Sequence, residues 1–204
     1  MSRLARMTLL SGILAATFAA PTASFAQATI TFTPGCATGG FVDRGPTYTE
    51  AGFTLTSPDL ASWCADAPHY GGPAAFLNYG GTSGQLTKVG GGTFTANSID
   101  LAHVYNGSFG TQSFTFTGNL FGGGAVFETF TIAAQSGTPS FQTFNFAPTF
   151  TNLTSLDLAT QDPSYYQFTN VKLDAVTATP EPASLVLMAT GLFGVAAVRR
   201  KRRS

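Results

Sequence analysis

Apolar and polar residues alternate with a period of two through much of the chain's middle. Phe114-Thr115-Phe116 sets rings on one side and a hydroxyl on the other, and Phe127-Glu128-Thr129-Phe130-Thr131-Ile132 puts aromatics on one face and Thr or Glu on the other, with local slips. Successive side chains of an extended strand point to opposite faces, so this pattern specifies half-buried strands. The same reading predicts strands at Ala28 to Thr33, Gly52 to Thr56, Gln85 to Val89, Thr93 to Ala96, Ser98 to Val104, Gln112 to Thr117, Ala125 to Ala133, Phe141 to Phe146, Leu153 to Leu158 and Tyr166 to Val176. Phe, Thr and Val suit a pleated surface. The runs Gly90-Gly91-Gly92 and Gly122-Gly123-Gly124 suit turns. Asn106-Gly107-Ser108-Phe109-Gly110 reads as a hairpin turn, since Asn-Gly tolerates the positive φ such turns need. Helical periodicity is confined to two terminal apolar runs. Roughly eight to ten strands over about 150 residues predict an all-β fold, a two-sheet β-sandwich or jelly roll.

The two ends change the picture. The chain of 204 residues carries a formal net charge of zero, but the charges are segregated. Between Gln27 and Thr179, three cations (Arg44, Lys88, Lys172) face nine acids, a net of −6. That sign excludes nucleic acid as a partner, because its binders displace counterions with a basic face. The remaining cations sit at the termini. Arg3 and Arg6 precede an apolar stretch from Met7 to Ala20 and a small-residue site at Ser24-Phe25-Ala26. This order makes 1–26 a secretory signal peptide cut after Ala26, with Ala23 as the other candidate site, and makes the Sec machinery the export partner. Export into an oxidising compartment favours joining Cys36 and Cys64, the two cysteines, as a disulfide.

At the other end, Ala183 to Val198 is a run of sixteen residues without a charge, followed by Arg199-Arg200-Lys201-Arg202-Arg203. As a helix the run reaches about 24 Å, marginal for a hydrocarbon core of about 30 Å. The basic end stays cytoplasmic by the positive-inside rule. The signal peptide's basic end is cytoplasmic too, so the middle is outside. Pro180-Glu181-Pro182 precedes the run. Each proline pushes its predecessor toward an extended backbone, and Pro182 suits a first helical turn. The product is an extended peptide at the outer membrane face, the conformation in which proteases bind their substrates.

Pro180-Glu181-Pro182, the apolar helix and the Arg-rich end resemble the PEP-CTERM sorting signal, over roughly Thr179 to Ser204. The resemblance implies processing by an exosortase, a membrane-embedded cysteine peptidase of Gram-negative bacteria that make exopolysaccharide. It also implies an intermediate anchored in the inner membrane through the helix, and then release to the cell surface or extracellular matrix. The expected organisation is thus signal peptide 1–26, sandwich domain 27–178 and sorting signal 179–204. The stretch Tyr166-Gln167-Phe168-Thr169-Asn170-Val171-Lys172-Leu173-Asp174 resembles the last strand of jelly rolls of the carbohydrate-binding-module type, with Thr169 where an Asp is common. That likeness makes a polysaccharide the first partner to test.

No motif for a nucleophile, a metal or a phosphate stands in the sequence, so no catalytic residue, cofactor or metal site is expected. His69 and His103 lie far apart, with His103 near Asp100, and Asp157 and Asp162 are read as solvated loop charges rather than a glycosidase pair. The most suggestive cluster is Trp63-Cys64-Ala65-Asp66-Ala67-Pro68-His69-Tyr70, continuing to Asn78-Tyr79. Flat rings beside polar groups are what a sugar needs, so Trp63, Asp66, His69, Tyr70 and Tyr79 are candidate glycan contacts. The competing reading has Trp63 plugging the end of the core and the tyrosines covering loop backbone. The expected function is that of a non-enzymatic surface or matrix protein associated with exopolysaccharide. A self-associating structural or adhesive protein and a carbohydrate-active hydrolase are the alternatives.

Overall fold

Alternation becomes strands wherever the sequence carries it. The computed structural model describes residues 24–36, 39–64, 73–77, 83–158 and 166–177. All lie in one unit, Ser24–Thr177. The expected signal peptide up to Ala23, the whole of 178–204, and Asp66, His69, Tyr70 and Tyr79 lie outside the described residues.

Among the described residues every regular element is a strand: β1 (Ser24–Ile30), β2 (Gly40–Glu50), β3 (Phe53–Cys64), β4 (Ala74–Leu77), β5 (Gly84–Lys88), β6 (Phe94–His103), β7 (Gly107–Phe109), β8 (Gln112–Leu120), β9 (Ala125–Ile132), β10 (Gln135–Gly137), β11 (Gln142–Asn145), β12 (Leu153–Leu158) and β13 (Tyr166–Thr177). The long strand β3 is shared between two layers. Its first half pairs with β5, which continues through β12 and β8 to β9; its second half pairs with β4, which leads through β13 to β6 and β11. β2 follows β3 along the other edge, and β1 runs antiparallel to β13 with Ser24 opposite Thr177. A bridge between Leu153 and Phe94 joins the layers on the far side. The result is the expected all-β sandwich.

Between the layers lies one aromatic-rich core, with Phe32, Phe53, Phe94, Phe116, Phe150, Phe168 and Tyr166 fully buried. Two bulges set which residues reach it. On β13 the inward set passes from Tyr166 and Phe168 to Val171 and Leu173 across an extra residue, Asn170, whose φ is 47°. On β6 it passes from Phe94 and Ala96 to Ile99 and Leu101 across Asn97, so the two strands expected at Thr93 to Ala96 and Ser98 to Val104 are one. Gly118 marks a close approach. A Cβ there would come within 2.8 Å of Leu153 and 2.9 Å of Val126. Gly122, Gly123 and Gly124 all take positive φ and close the β8–β9 hairpin, as their run suggested.

Three expectations change. Gly107–Phe109 is not a hairpin turn but the short strand β7, which pairs with β10. Phe127 does not share the aromatic face of β9. It stands opposite Thr117, 69% exposed, while Glu128 turns inward and accepts the Ala147 N–H at 2.7 Å. β1 covers Ser24–Ile30 rather than the expected Ala28 to Thr33, and pairs along its length with 171–177.

Candidate functional site

Trp63 lies on β3 beyond the corner where Ser57, Pro58 and Asp59 carry the strand between layers. Past that corner Leu60 faces the main core, so Ala61 and Trp63 face the opposite, outer side. β2 brings Phe41 directly opposite Trp63, and β4 brings Phe76 opposite Ala61. The rings form a ladder across three strands. Phe41 meets Trp63 edge-on at 5.5 Å and 71°, and Trp63 stacks on Phe76 at 5.5 Å and 15°. Phe76, Ala61 and Val104 form a small buried cluster beneath, with Trp63 partly buried and Phe41 50% exposed. Trp63 therefore does not plug the end of the core; it rests on a satellite cluster on the sheet's outer face.

The neighbouring residue holds this edge still. Cys64 is joined to Cys36, with Cα atoms 5.1 Å apart. Closing a loop of this length contributes roughly 3 to 4 kcal/mol on the chain-entropy argument. Arg44, on β2, braces the same segment. Its Nε donates to Ser62 Oγ at 3.0 Å, its Nη2 to the Phe32 carbonyl at 2.9 Å and its Nη1 to the Pro34 carbonyl, and its guanidinium lies 5.0 Å from the centre of the Tyr48 ring. Glu50 grips the other side of Phe32, accepting its N–H at 2.8 Å, the Thr31 N–H at 3.1 Å and hydroxyl at 2.8 Å, and the Tyr48 hydroxyl at 2.9 Å. Phe32 needs such a grip because it is buried with φ at 58°, a conformation costly for a side chain with Cβ. Burial, and then the hydrogen bond to Glu50, push the Tyr48 phenol well above its ordinary pKa.

The other candidates are dispersed. Asp66, His69, Tyr70 and Tyr79 lie outside the described residues. His103 is buried, its Nε2 3.1 Å from the Ala133 carbonyl and its ring stacked on Phe109. Asp100 is not its partner, for that carboxylate takes the Thr143 hydroxyl at 2.6 Å and the Asn170 amide at 2.8 Å. Asp157 is held by Gln85 and Asn119, each at 2.9 Å, and Asp162 lies outside the described residues. Among the described residues no three His, Cys, Asp or Glu side chains converge as metal ligands would, and no helix is long and apolar enough to cross a membrane. The expected span lies outside them. Sequence reading missed Phe41 and Phe76. The alternation Gly40-Phe41-Val42-Asp43 was the available sign of the first; β4, buried on both faces, offers none.

β13 runs to Thr177, and Pro180-Glu181-Pro182 follows after two residues of sequence. Residues 178–203 match the PEP-CTERM protein-sorting motif. The motif marks an exported protein sorted at its carboxyl end, in Gram-negative bacteria. No curated protein matches the chain. Among solved structures, the chain is similar to a mutant of CBM29-2, a family 29 carbohydrate-binding module, at 12% identity and a TM-score of 0.36, over 74% of this chain and 91% of that one. It is likewise similar to CBM29_1 from Piromyces equi, at 9% identity and a TM-score of 0.36, over 71% and 95% of the two chains.

Proposed function

We propose that this PEP-CTERM protein is a non-enzymatic component of the cell surface or extracellular matrix that holds a polysaccharide on the outer face of its sandwich. An exosortase-type peptidase processes the chain at Pro180-Glu181-Pro182, after the apolar helix has anchored it in the inner membrane. The observation that supports the sugar reading is the half-exposed Phe41 ring against Trp63, with the buried Phe76 as their support. An apolar ring half in water costs free energy unless something covers it, and sugar C–H faces stack on such rings while hydroxyls remain hydrated. The rings sit on paired strands beside a disulfide, so they need little ordering on binding.

Affinity electrophoresis of the purified exported protein in gels cast with the producing cells' own exopolysaccharide tests this. Retardation that Trp63→Ala removes supports the reading; equal mobility with and without polymer overturns it. Intact mass of surface-extracted protein tests the processing step, which predicts loss of 183–204; recovery of Arg199 to Arg203 sinks it.

A second reading, a self-associating structural protein, draws support from β9. This strand ends the sheet, and Phe127 on it and Phe121 in the preceding turn are 69% and 68% exposed. Concentration-dependent sedimentation that Phe127→Lys abolishes would favour it.

A further inference from the structure

Away from the ring ladder, at the end of β6, a cleft of about 210 Å³ opens between His103, the β10 segment and the start of β11, lined by His103, Gln135, Ser136, Thr138, Ser140 and Gln142. The lining carries no charged side chain. It offers two amides, three hydroxyls and an imidazole.

Their hydrogen bonds are only partly used. Gln135 donates from Nε2 to the Tyr105 carbonyl at 2.9 Å and the Gly137 carbonyl at 2.7 Å, which leaves Oε1 as an acceptor. Gln142 accepts the Ala133 N–H through Oε1 at 3.3 Å, which leaves its NH₂ as a donor. The Ser136, Thr138 and Ser140 side chains are exposed or at the rim and supply hydroxyls of either role. His103 makes the deepest wall, only 2% exposed. Because a carbonyl can only accept, the contact from Nε2 to Ala133 puts the proton on Nε2. Nδ1 is then a bare acceptor, buried and without a partner. One strand away Gln112, opposite Ile132, buries Oε1 without a partner as well. Both of those atoms are closed to solvent, so the groups a ligand reaches are the Gln135 and Gln142 amides and the three hydroxyls.

We infer that this cleft is a binding site for a neutral polyhydroxyl group, a single uncharged sugar ring, distinct from the aromatic ladder. Ligand hydroxyls, each donor and acceptor at once, match a lining that mixes free acceptors with free donors. A uronate or phosphate would meet no cation there. The volume is below the roughly 300 to 1,000 Å³ typical of sites for drug-sized ligands, which suits one ring rather than a chain. The inference shares only a ligand class with the proposed function, and a monosaccharide tests it without the polymer.

The experiment is a titration of the purified exported protein with D-glucose, D-galactose and D-mannose, and with D-glucuronate as the charged probe, followed by backbone amide NMR. At least one neutral hexose gives saturable shifts centred on His103 and residues 133–142, with glucuronate weaker. Gln142→Ala weakens binding about fivefold, the worth of one neutral hydrogen bond. Ser140→Tyr, at an exposed position, fills the cleft and abolishes binding. Phe41→Ala leaves hexose binding unchanged even where it removes polymer binding, so the two sites fail separately. No saturable shift with any hexose to roughly 100 mM, far above a millimolar Kd, shows that the cleft holds water only and overturns the inference. So does binding that survives both Gln142→Ala and Ser140→Tyr, or glucuronate bound as tightly as the hexoses.

Discussion

Phe41 and Trp63 stand opposite each other across the β2–β3 pair, their rings meeting edge to face at 5.5 Å. The two differ in what removing them does. Phe41 is half exposed, whereas Trp63 also stacks on the buried Phe76. Phe41→Ala is expected to cost under about 1 kcal/mol of stability, as a partly exposed ring, and to weaken polysaccharide retardation severalfold. Paired thermal melts and affinity electrophoresis check this; a large drop in melting temperature with unchanged retardation makes the pair purely structural.

Glu50 takes four hydrogen bonds, two of them from the backbone of Thr31 and the strained Phe32. Glu50→Gln replaces one acceptor oxygen by a donor that faces other donors. Hydrogen bonds to a charged group are worth about 1.5 to 3 kcal/mol. Equilibrium urea unfolding should therefore show a loss of roughly 2 to 3 kcal/mol, with Thr31 and Phe32 amides exchanging faster. A loss below about 0.5 kcal/mol would show that Arg44 and the disulfide hold the segment without it.

How much of this was legible depended on whether each residue followed a simple period. β8 and most of β13 follow it; β13 spans what alternation predicts to within one residue, β8 runs three residues past the expected Thr117, and β12 has the expected bounds although a register shift after Leu153 breaks its period. β2 and the second half of β3 were hidden by Arg44-Gly45-Pro46 and Ser57-Pro58-Asp59, which read as breakers but form the bend that carries one hairpin across both layers. Phe127 misled because register, not residue type, sets its face: opposite Thr117 it must point outward. At the site, Trp63 was visible as the single tryptophan, but its partners Phe41 and Phe76 are fixed by the register of the β2–β3 and β3–β4 pairings, which alternation within one strand does not contain. The cleft beside His103 depends on such pairings too.

Gly118 points into the core between Leu153, Val126 and Phe150, where an added Cβ would meet atoms at 2.8, 2.9 and 3.2 Å. Two of these contacts are closer than side chains tolerate, and the neighbours come from β12, β9 and the loop before β12. Gly118→Ala is expected to destabilise by about 1 to 3 kcal/mol, the range for overpacking. Denaturant unfolding measures it; a neutral result would mean that the β8–β12 interface yields without cost.

Tyr166 is fully buried against Phe114, with ring centroids 4.4 Å apart, and its hydroxyl has no hydrogen-bond partner. Burial alone pushes its phenol far above the ordinary value of 10.0. The sign follows from that direction. With the folded pKa above the unfolded one, the unfolded chain loses its proton first, so this stability is complete below pH 10 and declines as pH rises beyond it. The decline from this residue is about 1.4 kcal/mol per pH unit. Tyr166→Phe removes both the titration and an unpaired buried hydroxyl, and is expected to raise stability at pH 7 by up to about 1 kcal/mol. Its unfolding free energy should also fall less steeply between pH 10 and 11 than that of the unaltered protein, by about 1 kcal/mol, since the unfolded phenol is only half ionised at pH 10. Parallel slopes in that window would show that the phenol ionises in the folded state and is not sealed in the core.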